Sequence, residues 1–90
     1  MIDKTVIVAN PLGIHARPAA LIVQEAARFS ADITLSKGDV AHINGKSIMG
    51  VMMLAAENGA EVTIMADGED EAEALEKIAA LVQSNFEDMV

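Results

Sequence analysis

The stretch GIHARPAAL places a histidine and an arginine two residues apart at the start of a predicted helix. Gly13 permits a tight turn before His15, and Pro18 is tolerated because the amides of a first helical turn lack partners within the helix. Those free N–H groups and the helix dipole favour an anion over imidazolium, so we expect a neutral His15 at about neutral pH. A neutral imidazole beside an anion site is a nucleophile that can hold a phosphoryl group.

Arg17 is the second residue of this motif with a predicted chemical role. Its guanidinium can bind phosphoryl oxygens, and the backbone amides of Ala16 and Arg17 can donate further hydrogen bonds to them. The alternative interpretation is an ordinary surface histidine at a helix start. Position alone does not decide between the two.

Metal and nucleotide chemistry have weaker support. His15 and His42 could share a metal, but the chain has no cysteine and no paired carboxylates at ligand spacing. We expect His42 to be a solvent-facing strand residue. A group of acids lacks the pattern of a calcium loop and is better explained as favourable charge at a helix start: Glu69, Asp70, Glu71 and Glu73. The sequence has no glycine-rich nucleotide loop, so we expect no ATP site. We also expect no metal and no cofactor.

Ser47 opens an apolar run that extends to Leu54. A serine at this position is most often an N-cap, which contributes about 1 kcal/mol. The run has almost no polar side, yet a helix on a sheet cannot bury every side. With Val51 and Leu54 inward, the residues predicted to be exposed for partner docking are Ile48, Met49 and Met52. The alternative is that the methionines all belong to the core.

Periodicity predicts the elements that must position these residues. Two strands are predicted, one in KTVIVAN and one in EVTIMADG. A hairpin that turns at Lys37-Gly38-Asp39 is predicted in ADITLSKGDVAHIN. A helix is predicted from Ala16 to Arg28, a short one from Ser47 towards Asn58-Gly59, and one from Asp70, whose apolar stripe Phe86 continues. The stripe predicted to be buried in the first helix is Ala16, Ala19, Ala20, Val23, Ala26 and Ala27. The order βαββαβα indicates a two-layer α+β domain with helices on one face of the sheet.

Composition limits the function further. A chain of 90 residues predicts one domain spanning 1–90, and 52% hydrophobic residues with 2% aromatic ones predict an aliphatic core. The net charge of -8 argues against nucleic acid. No apolar run approaches the roughly 20 residues of a membrane span, so we expect no membrane insertion. The absence of cysteine fits a reducing compartment, and we expect a cytoplasmic protein.

Three segments resemble one family, the histidine-containing phosphocarrier proteins (HPr) of the bacterial phosphotransferase system. GIHARPA matches its active-site motif, KSIMGVMML its regulatory-serine region, and GAEVTIMADGEDEAEAL its last strand and helix. The resemblance covers almost the whole chain. It implies an open-faced sandwich, in which a four-stranded antiparallel sheet of order 1-4-2-3 carries three helices on one face.

The resemblance also implies a role for each motif. His15 would take phosphate on Nδ1 from enzyme I and pass it to an enzyme IIA domain, with Arg17 assisting. Ser47 would be the site of HPr kinase/phosphorylase, and Leu21, on the exposed side of the first helix, would join the docking face. The protein would be a phosphoryl-carrying intermediate rather than an enzyme, and we expect a monomer. The segment from His15 to Ser47 is one residue longer than the family's spacing, which an extra residue in the hairpin would explain.

Two functions of different classes follow. The first is a phosphocarrier that serves as covalent intermediate in a relay, in sugar uptake or in a nitrogen-related branch. The second is a regulatory module that signals through phosphorylated Ser47 to a transcription factor or enzyme. The relay requires the imidazole of His15, which a purely regulatory relative could lack, so the sequence favours the relay.

Overall fold

A computed structural model describes residues 1–84 of the chain. Phe86, which is predicted to continue the stripe of the last helix, lies outside the described residues. The elements occur in the predicted order. They are β1 (Ile2–Ile7), α1 (Ala16–Ala26), β2 (Asp32–Lys37), β3 (Val40–Asn44), α2 (Ile48–Met53), β4 (Glu61–Asp67) and α3 (Glu71–Gln83).

The four strands form one antiparallel sheet of order β1-β4-β2-β3, which confirms the predicted topology. Side chains alternate between the two faces, as period-two patterning requires. One face is buried under the helices, and its aliphatic core residues are Val6, Ile33, Leu35, Val62, Ile64 and Ala66. Val8, which directly follows β1, is also buried. The opposite face carries exposed and half-buried residues, so the domain is an open-faced α+β sandwich with its three helices on one side.

The β2–β3 hairpin contains an irregularity near its turn. Leu35 pairs with Ile43 and Lys37 pairs with Val40, so two residues of β3 face the single residue Ser36 of β2. This bulge adds one residue to β3, in the hairpin where the family's spacing led us to expect an extra residue. His42 lies in the bulge with a φ of 57°, and its backbone N–H donates to the Ser36 hydroxyl at 3.0 Å. It is exposed, as predicted.

The buried stripe of α1 differs from the predicted one. Ala19 and Ala26 are buried as expected, but Ala16 and Ala27 are exposed. The side chains that α1 buries are Pro18, Ala19, Ile22 and Ala26. Burying an isoleucine contributes about 1.5–3 kcal/mol, far more than an alanine methyl can, so Ile22 sets the orientation of the helix. In this orientation Leu21 is half-buried against the core rather than fully exposed, which corrects that prediction.

The ends of α2 and α3 also refine the predictions. α2 ends at Met53, well before Asn58-Gly59, and Ala55 follows in the left-handed region with a φ of 51°. Asp70 precedes α3, but its carboxylate does not cap that helix. It accepts hydrogen bonds from the backbone N–H groups of Ser30 and Ala31, each at 2.9 Å. Asp70 therefore ties the α1–β2 connection to the start of α3.

Candidate functional site

The loop from β1 to α1 delivers His15 to the helix start. Within it, the Gly13 N–H donates to the Asn10 carbonyl at 2.9 Å, and the Asn10 side-chain amide donates to the Gly13 carbonyl at 2.6 Å. Asn10 is 5% exposed and is the one buried polar or charged residue among residues 1–84. These two bonds close the turn around Pro11 and Leu12, so the loop has a fixed shape.

A second loop, between α2 and β4, packs against the first. The Ile14 N–H donates to the Ala56 carbonyl at 2.8 Å. The Asn58 side-chain amide lies 3.2 Å from the Ala9 carbonyl and 3.3 Å from the Asn10 carbonyl. The loop that carries His15 is therefore fixed by hydrogen bonds within itself and by hydrogen bonds to the loop between α2 and β4.

Gly13 is required at this junction. Its φ is +72°, and a Cβ there would lie 2.5 Å from the Ala56 carbonyl oxygen. A larger residue would meet both a strained backbone and a backbone atom that cannot move aside. The sequence predicts the turn at Gly13, and the close approach to the second loop explains why the residue must be glycine.

His15 occupies the N-cap position of α1, in an extended conformation with φ -101° and ψ -164°. Its carbonyl accepts the first helical hydrogen bond, from the Ala19 N–H at 2.9 Å. The imidazole does not cap the helix, and the residue is exposed. The ring is therefore available to a partner at the surface, in the place predicted from the sequence.

The groups around His15 suit an anion. Within residues 1–84, the backbone N–H groups of Ala16 and Arg17 have no hydrogen-bond acceptor, and Pro18 has no N–H. Arg17 is exposed and forms no ion pair with the part of the chain that the structure describes. The helix start thus offers amide donors and an adjacent guanidinium, a combination that binds phosphoryl oxygens.

Ser47 is the N-cap of α2. Its Oγ accepts a hydrogen bond from the Gly50 N–H at 3.1 Å, and the residue is half-buried. The predicted capping geometry is therefore present. An anionic group at this end of a helix is favourable, since the first amides of a helix carry partial positive charge.

α2 presents an apolar surface outward, and α1 and α2 pack against each other. Val51 and Leu54 are buried, as predicted. The predicted docking residues are exposed, with fractions of 45% for Ile48, 76% for Met49 and 44% for Met52. The alternative in which the methionines belong to the core is therefore wrong.

Two further apolar side chains are exposed near these elements and are absent from the prediction. Met53 is 69% exposed at the end of α2, and Leu12 is 78% exposed in the loop that leads to His15. The apolar run from Ser47 to Leu54 contains the signal for Met53. For Leu12, the Asn10-Pro11 turn motif would have indicated an exposed loop tip.

Comparison with known proteins decides the family. The family model described as the PTS HPr component phosphorylation site matches residues 2–84. The chain belongs to the HPr family. A curated relative, the HPr-like protein Crh of Bacillus subtilis, is 57% identical over 92% of this chain and 96% of its own. The phosphocarrier protein HPr of Treponema pallidum is 51% identical over 98% of this chain and 99% of its own.

Solved structures of the family share the fold. The crystal structure of HPr from Bacillus anthracis is 52% identical, covers 91% of this chain and 96% of its own, and superposes with a TM-score of 0.85. The crystal structure of Bacillus subtilis Crh, described as a dimer with a swapping domain, is 55% identical over 92% of this chain and 94% of its own. Its TM-score is 0.73. The chain is therefore an HPr-family phosphocarrier rather than an enzyme.

Sequence analysis missed the residues that fix the loop. Asn10 is noted only as a strand end and Asn58 only as a helix end, whereas both side chains bind backbone carbonyls of the His15 loop. No local pattern distinguishes an asparagine with this role from a turn residue. None of the helices in residues 1–84 has the length and apolar character that a membrane crossing requires.

Proposed function

We propose that the protein accepts a phosphoryl group on Nδ1 of His15 from enzyme I of the phosphotransferase system and donates it to enzyme IIA domains. One observation carries this proposal. The exposed imidazole makes no cap bond and stands at the start of α1, beside the free amides of Ala16 and Arg17. These amides and the nearby Arg17 guanidinium are donors for phosphoryl oxygens, which an isolated surface histidine would lack.

The transfer requires a nucleophile and a place for negative charge. The lone pair of Nδ1 attacks the phosphorus of phosphorylated enzyme I, and the bond to the donor breaks as the N–P bond forms. The phosphoryl oxygens then meet the N–H groups of Ala16 and Arg17 and the Arg17 guanidinium. These donors stand ready before the phosphoryl group arrives, so little reorganisation opposes its transfer.

A second function in regulation is favoured by two observations. The relative at 57% identity is an HPr-like protein, Crh, whose crystal structure is described as that of a catabolite repression protein. Ser47 caps a helix with exposed apolar residues. We therefore propose that HPr kinase/phosphorylase modifies Ser47 and that a regulatory protein binds the modified form.

The docking face of this proposal consists of Ile48, Met49 and Met52, with Leu21 at its half-buried edge. Its centre has no charge, because no residue from Ser47 to Ala56 is ionisable. We propose that enzyme I and the IIA domains present apolar surfaces to it. Flexible methionine side chains allow one surface to fit several partners.

The proposed working form is a cytoplasmic monomer with residues 1–90 as one domain. A structure of Crh is a dimer with a swapping domain, so the state of this chain in solution is to be measured by light scattering across protein concentrations. A constant monomer mass supports the proposal, and a concentration-independent dimer rejects it.

The central test uses the two histidines of the chain. The protein is incubated with enzyme I, magnesium and labelled phosphoenolpyruvate. The wild type and His42→Ala should each gain one acid-labile, base-stable phosphoryl group, and His15→Ala should gain none. Labelling that persists in His15→Ala would place the acceptor elsewhere, and an unlabelled wild type would reject the relay.

A further inference from the structure

Lys37 occupies an unusual place in the sheet. It follows Ile33 and Leu35 in the row of β2 that faces the helices, and both of those residues are buried. Its own side chain is only 24% exposed. The apolar stem of such a lysine lies along the helix-facing side of the sheet, and its ammonium group reaches the surface at the sheet end.

The ammonium group binds the segment that follows α2. Lys37 Nζ donates a hydrogen bond to the Ala55 carbonyl at 2.9 Å and lies 3.6 Å from a carboxylate oxygen of Glu57. Ala55 has a φ of 51°, a left-handed conformation that costs an alanine free energy. A cation at the C-terminal end of a helix stabilises the exposed carbonyls there. Lys37 therefore stabilises the strained end of α2.

The stabilised segment continues directly to the phosphoryl site. Ala56, the next residue, accepts the hydrogen bond from the Ile14 N–H at 2.8 Å, and Ile14 precedes His15. The same segment leaves no room for a Cβ at Gly13. A change in the path of Ala55 and Ala56 would thus move the backbone that sets the position of His15.

We propose that Lys37 is a positioning residue for phosphoryl transfer, which holds the Ala55–Ala56 backbone so that His15 and the first amides of α1 face the incoming phosphoryl group. This inference rests on the proposed function of His15. Lys37 does not touch the phosphoryl group. Its loss should impair the geometry of the site without removing the docking residues of α2.

The test compares Lys37→Met, Lys37→Arg, Glu57→Gln and the charge control Lys77→Met as substrates of enzyme I. Lys77 lies on α3, near Arg28 and Phe29. These two residues come just after the C-terminal end of α1, whereas His15 precedes its N-terminal end. Lys37→Met should lower kcat on the order of tenfold, less than the roughly hundredfold loss that a 1 Å misplacement can cause. Its KM should stay close to that of the wild type. Lys37→Arg, which keeps a charged donor, should recover most of the rate.

Glu57→Gln leaves the hydrogen bond from Lys37 to the Ala55 carbonyl in place, so the kcat of this variant should stay close to that of the wild type. The kcat of Lys77→Met should also stay close to the wild-type value. Amide hydrogen exchange gives a readout that needs no enzyme I. The Ile14 N–H should exchange faster in Lys37→Met, whereas the Ala27 N–H, bonded to the Val23 carbonyl at the other end of α1, should be unaffected. Circular dichroism verifies folding, and Lys37→Gln replaces Lys37→Met if the latter does not fold.

The outcomes separate the two proposals. A wild type that gains no label rejects the proposed function, and the role of Lys37 with it. A labelled wild type with equal kcat for Lys37→Met and Lys77→Met overturns the role of Lys37 alone. A change confined to KM would also overturn it, because it would make Lys37 a docking residue.

Discussion

The backbone N–H of Ile14 donates to the carbonyl of Ala56 at 2.8 Å, and this bond joins the loop before α1 to the loop after α2. The first loop ends at His15, the proposed phosphoryl acceptor, and the second follows the helix that Ser47 caps. The two predicted sites of phosphorylation thus belong to one connected backbone unit. Changes in this unit should affect transfer, stability or both, in ways that separate the roles of its residues.

Replacing Arg17 with glutamate should slow the phosphorylation of His15 by at least about a hundredfold, the scale of losing a preorganised charge-stabilising donor. The new carboxylate would face the incoming phosphoryl group and repel it. The fold should persist, because Arg17 is exposed. The measurement is the rate of label transfer from enzyme I together with a melting curve. Arg28→Glu, an equal charge change just beyond the other end of α1, is the control and should transfer normally. Equal rates for both variants would contradict the role of Arg17.

Replacing Ser47 with aspartate should weaken the docking of enzyme I without unfolding the protein. A phosphoserine adds roughly -1.5 to -2 charges, and aspartate imitates part of that charge beside Ile48 and Met49. The carboxylate can still cap α2, so thermal stability should be equal or slightly higher. Transfer kinetics across concentrations of the variant, at a fixed concentration of enzyme I, should show a raised KM.

The matched control for that experiment is Ser47→Ala, which removes the cap without adding charge. It should lose about 1 kcal/mol of stability and keep a normal KM. Normal kinetics in the aspartate variant would show that Ser47 is only a helix cap. An unfolded aspartate variant would show that the start of α2 cannot accept an anion.

Replacing Gly13 with alanine should destabilise the protein by at least about 2 kcal/mol, because the left-handed backbone strain of about 1–2 kcal/mol is joined by a clash with Ala56. Gly59 supplies the control, since its φ is +87° and a Cβ there would meet nothing within 4 Å. Gly59→Ala should show the backbone strain alone. Urea unfolding measures both variants, and equal losses would mean that the approach to Ala56 is unimportant.

Asp70 should contribute stability that depends on pH. The backbone N–H of Ser30 is the main cause that lowers the pKa of the Asp70 carboxyl below its ordinary value, with the Ala31 N–H adding to the effect. A carboxyl whose pKa is lowered in the folded state stabilises the protein when the pH is above the unfolded-state pKa of about 4. This contribution to stability is lost as the pH falls below that value. Asp70→Asn should therefore melt at a lower temperature than the wild type at neutral pH.

The difference in melting temperature between the wild type and Asp70→Asn should shrink as the pH falls below about 4. Glu71 also has a lowered pKa, chiefly through the Gly68 N–H, so the wild type should lose stability over the same range for two reasons. Comparison of the wild type with Asp70→Asn isolates the contribution of Asp70 from that of Glu71. Glu69→Gln, an equal charge change at an exposed neighbour, should leave the pH profile unchanged. A difference that persists at low pH would contradict this origin.

The order of elements could be predicted because it depends on residues that are close in the sequence. Alternating residues in β2 and β4 have only one arrangement that buries Ile33, Leu35, Val62 and Ile64 together. The N-terminal ends of α1 and α2 follow from Gly13, Pro18 and Ser47, whose backbone preferences act within one helical turn. For the same reason, the position of His15 at the start of α1 was predictable.

The orientation of α1 and the end of α2 depended on more distant contacts. Alanines line several sides of α1, so their pattern cannot select the buried side, and packing of Ile22 decides it. At the end of α2, Asn58-Gly59 is a plausible stop signal in the sequence. The helix ends earlier because Ala55 takes a left-handed conformation that its own side chain does not favour.

The sequence by itself determined the residue types of the site, their order and the helix start that exposes an imidazole beside free amides. Only the tertiary structure decided what holds that start in place. Lys37 binds a carbonyl 18 residues away, and the Asn58 side chain reaches Asn10 across 48 residues. Local preferences act over a few residues, whereas such contacts exist only after the sheet has brought separate loops together.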